Sequence, residues 1–174
     1  MLAQITVEEA ARSVSDPAEK ARLELIAPFV EAAARVLQQE CGETVVKGTV
    51  FRVRSPQTTN DVSAMIAVTG KVTGLVIYSM SSETGRHFAS RMMGGEPVPT
   101  FDEMAQSAVA ELANIITGQA GIALEKAGFP NDMSPPMLLC GHGSSIATFN
   151  LTRLIVPLVV STGEFNIDIA IKEV

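Results

Sequence analysis

The sequence has no tryptophan, and only 5% of its residues are aromatic. Surfaces that hold nucleic-acid bases or sugars by stacking need aromatic side chains, so this composition argues against such a surface. Basic residues are also few, because 13 Lys and Arg stand against 19 Asp and Glu and leave a net charge of −6. Nucleic acids and anionic membranes attract clusters of Lys and Arg, so neither is the expected partner.

Cysteines and long apolar runs are equally scarce. Cys41 and Cys140 lie far apart without a nearby His or Cys at a metal-binding spacing, so we expect two reduced, packed thiols and no metal or cofactor bound by this chain. No segment supplies the roughly eighteen uncharged apolar residues of a membrane span, and the N-terminus has no secretion-signal pattern. These absences predict a soluble, cytoplasmic protein.

The residues that are present describe a globular chain with a large core. Apolar residues make up 47% of the 174 positions and charged residues only 18%, which suits one domain of ordinary size. Residues 1–20 are polar and end near Asp16-Pro17, so we interpret them as an N-terminal extension. The domain itself is predicted to span residues 21–174.

Hydrophobic spacing predicts three helices, over residues 21–40, 81–93 and 101–126. Thr100 and Glu103 have the spacing of a capping box at the start of the third. β-Branched or alternating segments predict strands over 46–53, 62–68 and 72–79, and three more strands after the third helix. The last two, 154–160 and 165–171, form a predicted hairpin, and the final strand alternates between a buried and a wetter face. The fold class is therefore α+β, with long helices packed on a largely antiparallel sheet.

The third helix has an unusual outward face. At about 100° per residue, one side of the helix collects apolar residues, and the other side carries polar and small ones. Glu111 is the only charged residue between Met104 and Leu124. The outward stripe consists of Ser107, Glu111, Asn114, Gly118 and Gly121.

Two interpretations of this stripe stay open from the residues alone. Gly118 and Gly121 each cost roughly 1 kcal/mol of helix propensity, which suggests that another surface comes close. That surface is either a partner macromolecule or another element of the same domain, with Glu111 and Asn114 merely solvated.

Several segments resemble one protein family. The run from Ser107 through Glu111 to Asn114 resembles the signature of the CheC, CheX and FliY response-regulator phosphatases, and CheX-like domains most of all. The match covers residues 22–174. Similar segments are Pro28-Phe29-Val30-Glu31-Ala32, Asp61-Val62-Ser63, Ala89-Ser90-Arg91-Met92-Met93-Gly94 and Pro136 followed by Gly141-His142-Gly143.

The resemblance implies a phosphatase that acts on the aspartyl phosphate of a CheY-like response regulator, in chemotaxis or related two-component signalling. It implies that the amide of Asn114 holds the attacking water and that Glu111 pairs with a lysine of the partner. Ser107, Gly118 and Gly121 would border the docked partner, which brings its own Mg²⁺. The alternative is a non-catalytic adaptor or scaffold that binds response regulators through the same helix.

The resemblance also implies a homodimer, and some family members carry a second site on the first helix. Here the corresponding segment has Ala34 where the amide would be needed, so one site per chain is expected. His87 and His142 have no partners at a recognisable spacing, and we do not expect either to be catalytic or to bind metal.

Overall fold

The computed structural model describes residues 16–53, 57–58, 60–147 and 152–174. Within these ranges the chain forms three helices and ten strands. The elements in chain order are α1 (Pro17–Cys41), β1 (Val46–Lys47), β2 (Phe51–Val53), β3 (Gln57–Thr58), β4 (Val62–Gly70), β5 (Val72–Met80), α2 (Ser82–Met92), α3 (Glu103–Lys126), β6 (Asn131–Met133), β7 (Met137–Cys140), β8 (Ser145–Ile146), β9 (Arg153–Val160) and β10 (Gly163–Glu173).

Eight strands form one sheet in the order β1-β9-β10-β5-β4-β6, with β2 also paired to β9 and β7 to β4. Strands β3 and β8 form a separate two-stranded ribbon. The pairings are antiparallel throughout. The three helices pack on one face of the large sheet, and the core lies between the two layers. The predicted α+β class with a largely antiparallel sheet is confirmed.

Helix α1 begins at Pro17, four residues earlier than predicted. The side chain of Asp16 caps the helix by accepting a hydrogen bond of 3.0 Å from the backbone N–H of Ala18, and Pro17 suits the first turn because its missing N–H would have no partner there. The predicted stop is confirmed, since Gly42 adopts the left-handed conformation with φ of 68°. Residues 1–15 of the proposed extension lie outside the described residues.

The strands are more fragmented than predicted. The segment 46–53 forms two short strands, both paired to β9, with a hydrogen bond of 2.7 Å from the N–H of Gly48 to Pro157 between them. Five strands follow α3 instead of three. Strands β6 and β7 are separated at Pro135 and Pro136, which lack the N–H that a continuous strand would donate.

The final strand β10 differs from the expected pattern. Phe165, Ile167 and Ile169 belong to the core, as predicted, but Asp168 on the supposedly wetter face is only 7% exposed. Arg153 lies over this face and donates hydrogen bonds to both carboxylate oxygens of Asp168. The face of the sheet away from the helices is therefore partly buried.

The two cysteines have different environments. Cys41 is buried, as predicted, and burial raises the pKa of its thiol to about 12. Cys140 is exposed at the end of β7, so the expectation of a packed thiol was wrong there. Both are free cysteines. None of the helices that the structure describes combines the length and the apolar character that crossing a bilayer requires.

Candidate functional site

Helix α3 carries the predicted site, and its first turn is fixed by a side-chain cap. The carboxylate of Asp102 accepts a hydrogen bond of 2.9 Å from the backbone N–H of Ala105, so the helix begins at Glu103. The predicted capping box from Thr100 was wrong because Asp102 takes the N-cap position. Asp102 and Glu103 also place negative charge at the positive end of the helix dipole.

Three contacts hold α3 in place along its length. The hydroxyl groups of Tyr78 on β5 and Thr117 are hydrogen-bonded at 2.8 Å in the core. The amide nitrogen of Asn131 donates to the carbonyl of Gly121 at 3.0 Å, which ties the helix to β6. On the opposite flank, the Nε of Arg35 on α1 donates to the side-chain oxygen of Gln119 at 3.0 Å. The helix is thus fixed from below and from both sides, while its outer face stays open.

The outer face presents Ser107, Glu111 and Asn114 to solvent. Glu111 and Asn114 are three residues apart, so they lie one above the other, separated by about 4.5 Å along the axis. Within the described part of the chain, neither side chain takes part in a hydrogen bond or ion pair. A carboxylate and an amide are therefore presented together, with their polar atoms free for another molecule.

The two glycines of the predicted stripe have different roles. A Cβ atom at Gly118 would meet nothing within 4 Å, so this position is open beside Asn114. Gly121 is buried, and a Cβ there would lie 2.8 Å from the Cε of Met133 and 2.9 Å from the Oδ1 of Asn131. The placement of Gly121 on the outward face was therefore wrong: this glycine lets strand β6 approach the helix.

Two apolar side chains extend the outer face beyond the polar pair. Met104 is 67% exposed and Ile122 is 55% exposed, and each lies within roughly 20° of Glu111 around the helix axis. Met104 also borders a shallow apolar groove of about 320 Å³ that is formed mainly by the segment between α2 and α3. This stretch of exposed apolar surface was not identified from the sequence, although its spacing from Glu111 is readable there.

The two histidines form contacts between elements of the fold, away from the outer face of α3. His87 on α2 hydrogen-bonds Glu43 at 2.6 Å, and Glu43 also accepts from the N–H and the hydroxyl of Ser161. The carboxylate lies between Ser161 and His87, so the imidazole is not placed to activate the hydroxyl as a nucleophile. The group instead joins the end of α1 to α2 and to the β9–β10 turn.

His142 contacts Asp61 at 3.1 Å, and the same Asp61 accepts from the backbone N–H of Ser82 at the start of α2. That N–H, together with His142 and against the opposing effect of burial, lowers the pKa of Asp61. Two segments that carry the family resemblance thus meet in space. Among the described residues, no group of three or more His, Cys, Asp or Glu side chains is arranged to hold a metal ion.

Comparison with known proteins adds a family to this geometry. The family described as "Chemotaxis phosphatase CheX" matches residues 62–167, which include all of α3. A Thermotoga maritima protein named CheY-P phosphatase CheX is 35% identical over 108 residues, which cover 62% of this chain and 70% of the relative.

Crystal structures of similar proteins agree with the fold. A chemotaxis protein CheX from Desulfovibrio desulfuricans superposes with a TM-score of 0.77 at 24% identity, covering 87% of this chain and 99% of the other. The CheX–CheY–BeF3–Mg²⁺ complex from Borrelia burgdorferi gives a TM-score of 0.71 at 29% identity, covering 86% of this chain and 98% of the matched chain.

Proposed function

Because this chain belongs to the chemotaxis phosphatase CheX family, we propose that it hydrolyses the aspartyl phosphate of a CheY-like response regulator. The observation that carries this proposal is the exposed pair Glu111 and Asn114 on a helix face that has no other charge between Met104 and Leu124. The Thermotoga relative is named for activity on phosphorylated CheY, and the Borrelia structure contains CheX together with CheY. Those names support CheY-like receivers as the substrate class.

Asn114 is the catalytic residue in this proposal. Its amide oxygen accepts a hydrogen bond from a water molecule and directs the oxygen of that water at phosphorus, in line with the bond to the aspartate. A new P–O bond forms to water while the P–O bond to the aspartyl oxygen breaks, which releases inorganic phosphate and restores the carboxylate. Mg²⁺ bound by the partner neutralises charge on the phosphoryl oxygens, as the composition of the Borrelia complex suggests. This chain is proposed to need no cofactor of its own.

Glu111 contributes mainly to docking. It lies one turn before Asn114, so it reaches the rim of a site into which Asn114 is inserted, and we assign it an ion pair with a lysine of the partner. An exposed ion pair contributes only about 0 to 1 kcal/mol, whereas removing one member of a pair sealed in an interface costs about 2 to 5 kcal/mol. Loss of Glu111 should therefore weaken binding more than it slows the chemical step.

The footprint of the partner extends along α3. A standard interface buries about 800 Å² on each protein, which corresponds to a patch of roughly 16 Å radius. At about 1.5 Å per residue, Met104 lies about 15 Å and Ile122 about 12 Å from Asn114 along the axis. A receiver centred on Asn114 therefore covers both side chains, together with Ser107 and Gly118.

The experiment that tests the function measures decay of a phosphorylated receiver with purified protein. Asn114→Ala should slow catalysed hydrolysis on the order of 100-fold while the complex still forms, because a misplaced water loses the benefit of orientation. Glu111→Ala should weaken the complex. Gln39→Ala removes an exposed amide from helix α1 and serves as the matched control, with unchanged rates.

The alternative function is a non-catalytic adaptor that binds response regulators through the same helix. Equal decay with wild-type and Asn114→Ala protein, with binding intact, would support this adaptor.

We also propose that the protein acts in the cytoplasm as a homodimer. Exposed apolar residues at strands β1 and β2, such as Val46 and Phe51, offer surface for association. Light scattering of the purified protein tests the dimer.

A further inference from the structure

The face of the sheet opposite the helices carries a row of polar side chains. Ser63 on β4 pairs with Ser79 on β5, and Ser79 pairs with Asn166 on β10. Residues directly opposite each other in antiparallel strands project from the same face, so these three side chains form one line across adjacent strands. They form the floor of a cavity of about 70 Å³ that we call the back-face cavity.

Two polar atoms of this floor have no hydrogen-bond partner among the described residues. Ser63 is fully buried, yet its hydroxyl oxygen is unpaired, and so is the buried Oδ1 of Asn166. A buried polar atom without a partner costs about 1 to 3 kcal/mol, and native proteins usually satisfy such atoms. Ser79 is only weakly engaged, by a long contact of 3.4 Å from the amide of Asn60. The floor of the cavity therefore offers polar atoms that can hydrogen-bond a ligand.

The end of the cavity is ionic but neutral overall. Arg153 and Asp168 are 4% and 7% exposed, and both carboxylate oxygens of Asp168 accept from the guanidinium. The third guanidinium nitrogen of Arg153, Nη1, donates to the backbone carbonyl of Ile146 at 2.6 Å. The positive charge of Arg153 and the negative charge of Asp168 thus neutralise each other. Among the described residues that line the cavity, an anionic ligand finds no free cation and a cation finds no free carboxylate, so desolvating either ion is uncompensated.

The size of the cavity and the apolar character of its walls restrict the class of ligand further. The walls are apolar and are formed by Phe51, Ile77, Ile146 and Ile155. A dry cavity of roughly 150 Å³ holds one benzene molecule, so 70 Å³ suits a group of about three or four heavy atoms. We propose that the back-face cavity binds a small uncharged amide or alcohol group, which donates to Asn166 and exchanges hydrogen bonds with Ser63 while its carbon atoms contact the apolar walls.

Acetamide, acetate and acetamidinium test this proposal because they have nearly the same shape and differ in charge. Backbone amide signals of the protein should shift saturably with acetamide at Ser63, Ser79 and Asn166. The two ions should bind at least about tenfold more weakly. Ser63→Val should weaken acetamide binding, and Ser79→Ala provides a second floor variant. Thr73→Val, three rows away on the same face of β5, should leave acetamide binding unchanged.

Four results would overturn the proposal. The first is that acetamide leaves these signals unshifted, and the second is that all three probes act alike. The third is a crystal structure of the protein soaked in acetamide in which ordered waters bridge Ser63 and Asn166 and remain in place. The fourth is a cavity filled by a side chain from a second copy of the chain. None of these results depends on Asn114, so the phosphatase activity is tested separately.

Discussion

The hydroxyl oxygens of Tyr78 and Thr117 lie 2.8 Å apart beneath helix α3 and join the central strand β5 to the helix that carries Asn114. The direction of this bond follows from a second one, because the hydroxyl of Thr117 donates to the carbonyl of Ala113 at 2.7 Å. Thr117 has only one proton to give, so Tyr78 must be the donor between the two hydroxyls. Burial raises the pKa of Tyr78 well above its ordinary value and keeps the phenol protonated for this role.

The direction of that hydrogen bond predicts that replacing its donor and replacing its acceptor lower the unfolding free energy by different amounts. Tyr78→Phe removes the donor but leaves Thr117 bonded to Ala113, so we expect a loss of about 1 kcal/mol in unfolding free energy. Thr117→Val leaves the buried phenol without an acceptor and should cost up to about 3 kcal/mol. Chemical denaturation of both variants and of the double variant measures this. Equal losses in the two single variants would contradict the assigned direction.

Gly118 and Gly121 form a matched pair for a second prediction. Gly118→Ala adds a methyl group in open space, so the better helix propensity should stabilise the fold by about 0.5 to 1 kcal/mol. Gly121→Ala places its Cβ against Met133 and Asn131 and should destabilise it by about 1 to 3 kcal/mol. Thermal unfolding distinguishes the two.

The same pair separates docking from packing. If Gly118 lies under the receiver, Gly118→Ala should weaken the complex even though the fold is more stable. Gly121→Ala, on the buried side, should bind the receiver normally at temperatures where it stays folded. Normal binding by Gly118→Ala would remove this residue from the proposed interface.

The contrast between these glycines explains what sequence analysis could and could not predict. Helical periodicity located α3 to within two residues and oriented Ser107, Glu111 and Asn114 correctly, since a core stripe of that length fixes one face. Gly121 lies only about 20° from Asn114 around the helix axis, so periodicity alone places it on the same outward face. It is buried because the edge strand β6 packs against it, and no periodicity within the helix reports on a neighbouring strand.

The back-face cavity was missed for a related reason. Alternation in β10 indicated that Asn166 and Asp168 share a face, which is confirmed, but alternation does not reveal whether that face is covered. Arg153 reaches Asp168 diagonally across the β9–β10 hairpin, and that contact requires the exact register. Polar residues on a strand are therefore a weak guide to exposure wherever a second layer packs on the sheet.

Glu43 leads to a prediction about pH. Burial alone would raise its pKa, but the N–H and hydroxyl of Ser161 and the ring of His87 together lower it below the ordinary value of 4.5. A group with a lowered pKa in the folded state stabilises the fold above its unfolded pKa, and this contribution is lost as the pH falls through the folded value.

Glu43→Gln resembles the protonated carboxyl, so it should be less stable than wild type at pH 7. The gap should shrink as the pH falls below 4.5. Urea unfolding across this range tests the trend, and a gap independent of pH would contradict it.

Met104 and Ile122 decide how far the receiver extends along α3. Both are solvated in the free protein, so shortening them costs little stability, but an apolar side chain buried on docking contributes about 25 cal/mol per Å². Met104→Ala and Ile122→Ala should each raise KM for the phosphorylated receiver about threefold to tenfold with kcat nearly unchanged, because the lost contacts are the same in the ground and transition states.

Met137→Ala is the matched control for these variants. Met137 is 65% exposed, close to the 67% exposure of Met104. It pairs with Met65, however, and lies on the face of the sheet away from α3. Its truncation removes a similar amount of exposed apolar surface and should leave both kinetic constants unchanged. A fall in kcat for Met104→Ala or Ile122→Ala would mean that these residues position Asn114 rather than bind the partner. Unchanged KM in both would confine the interface to the two turns around Glu111 and Asn114.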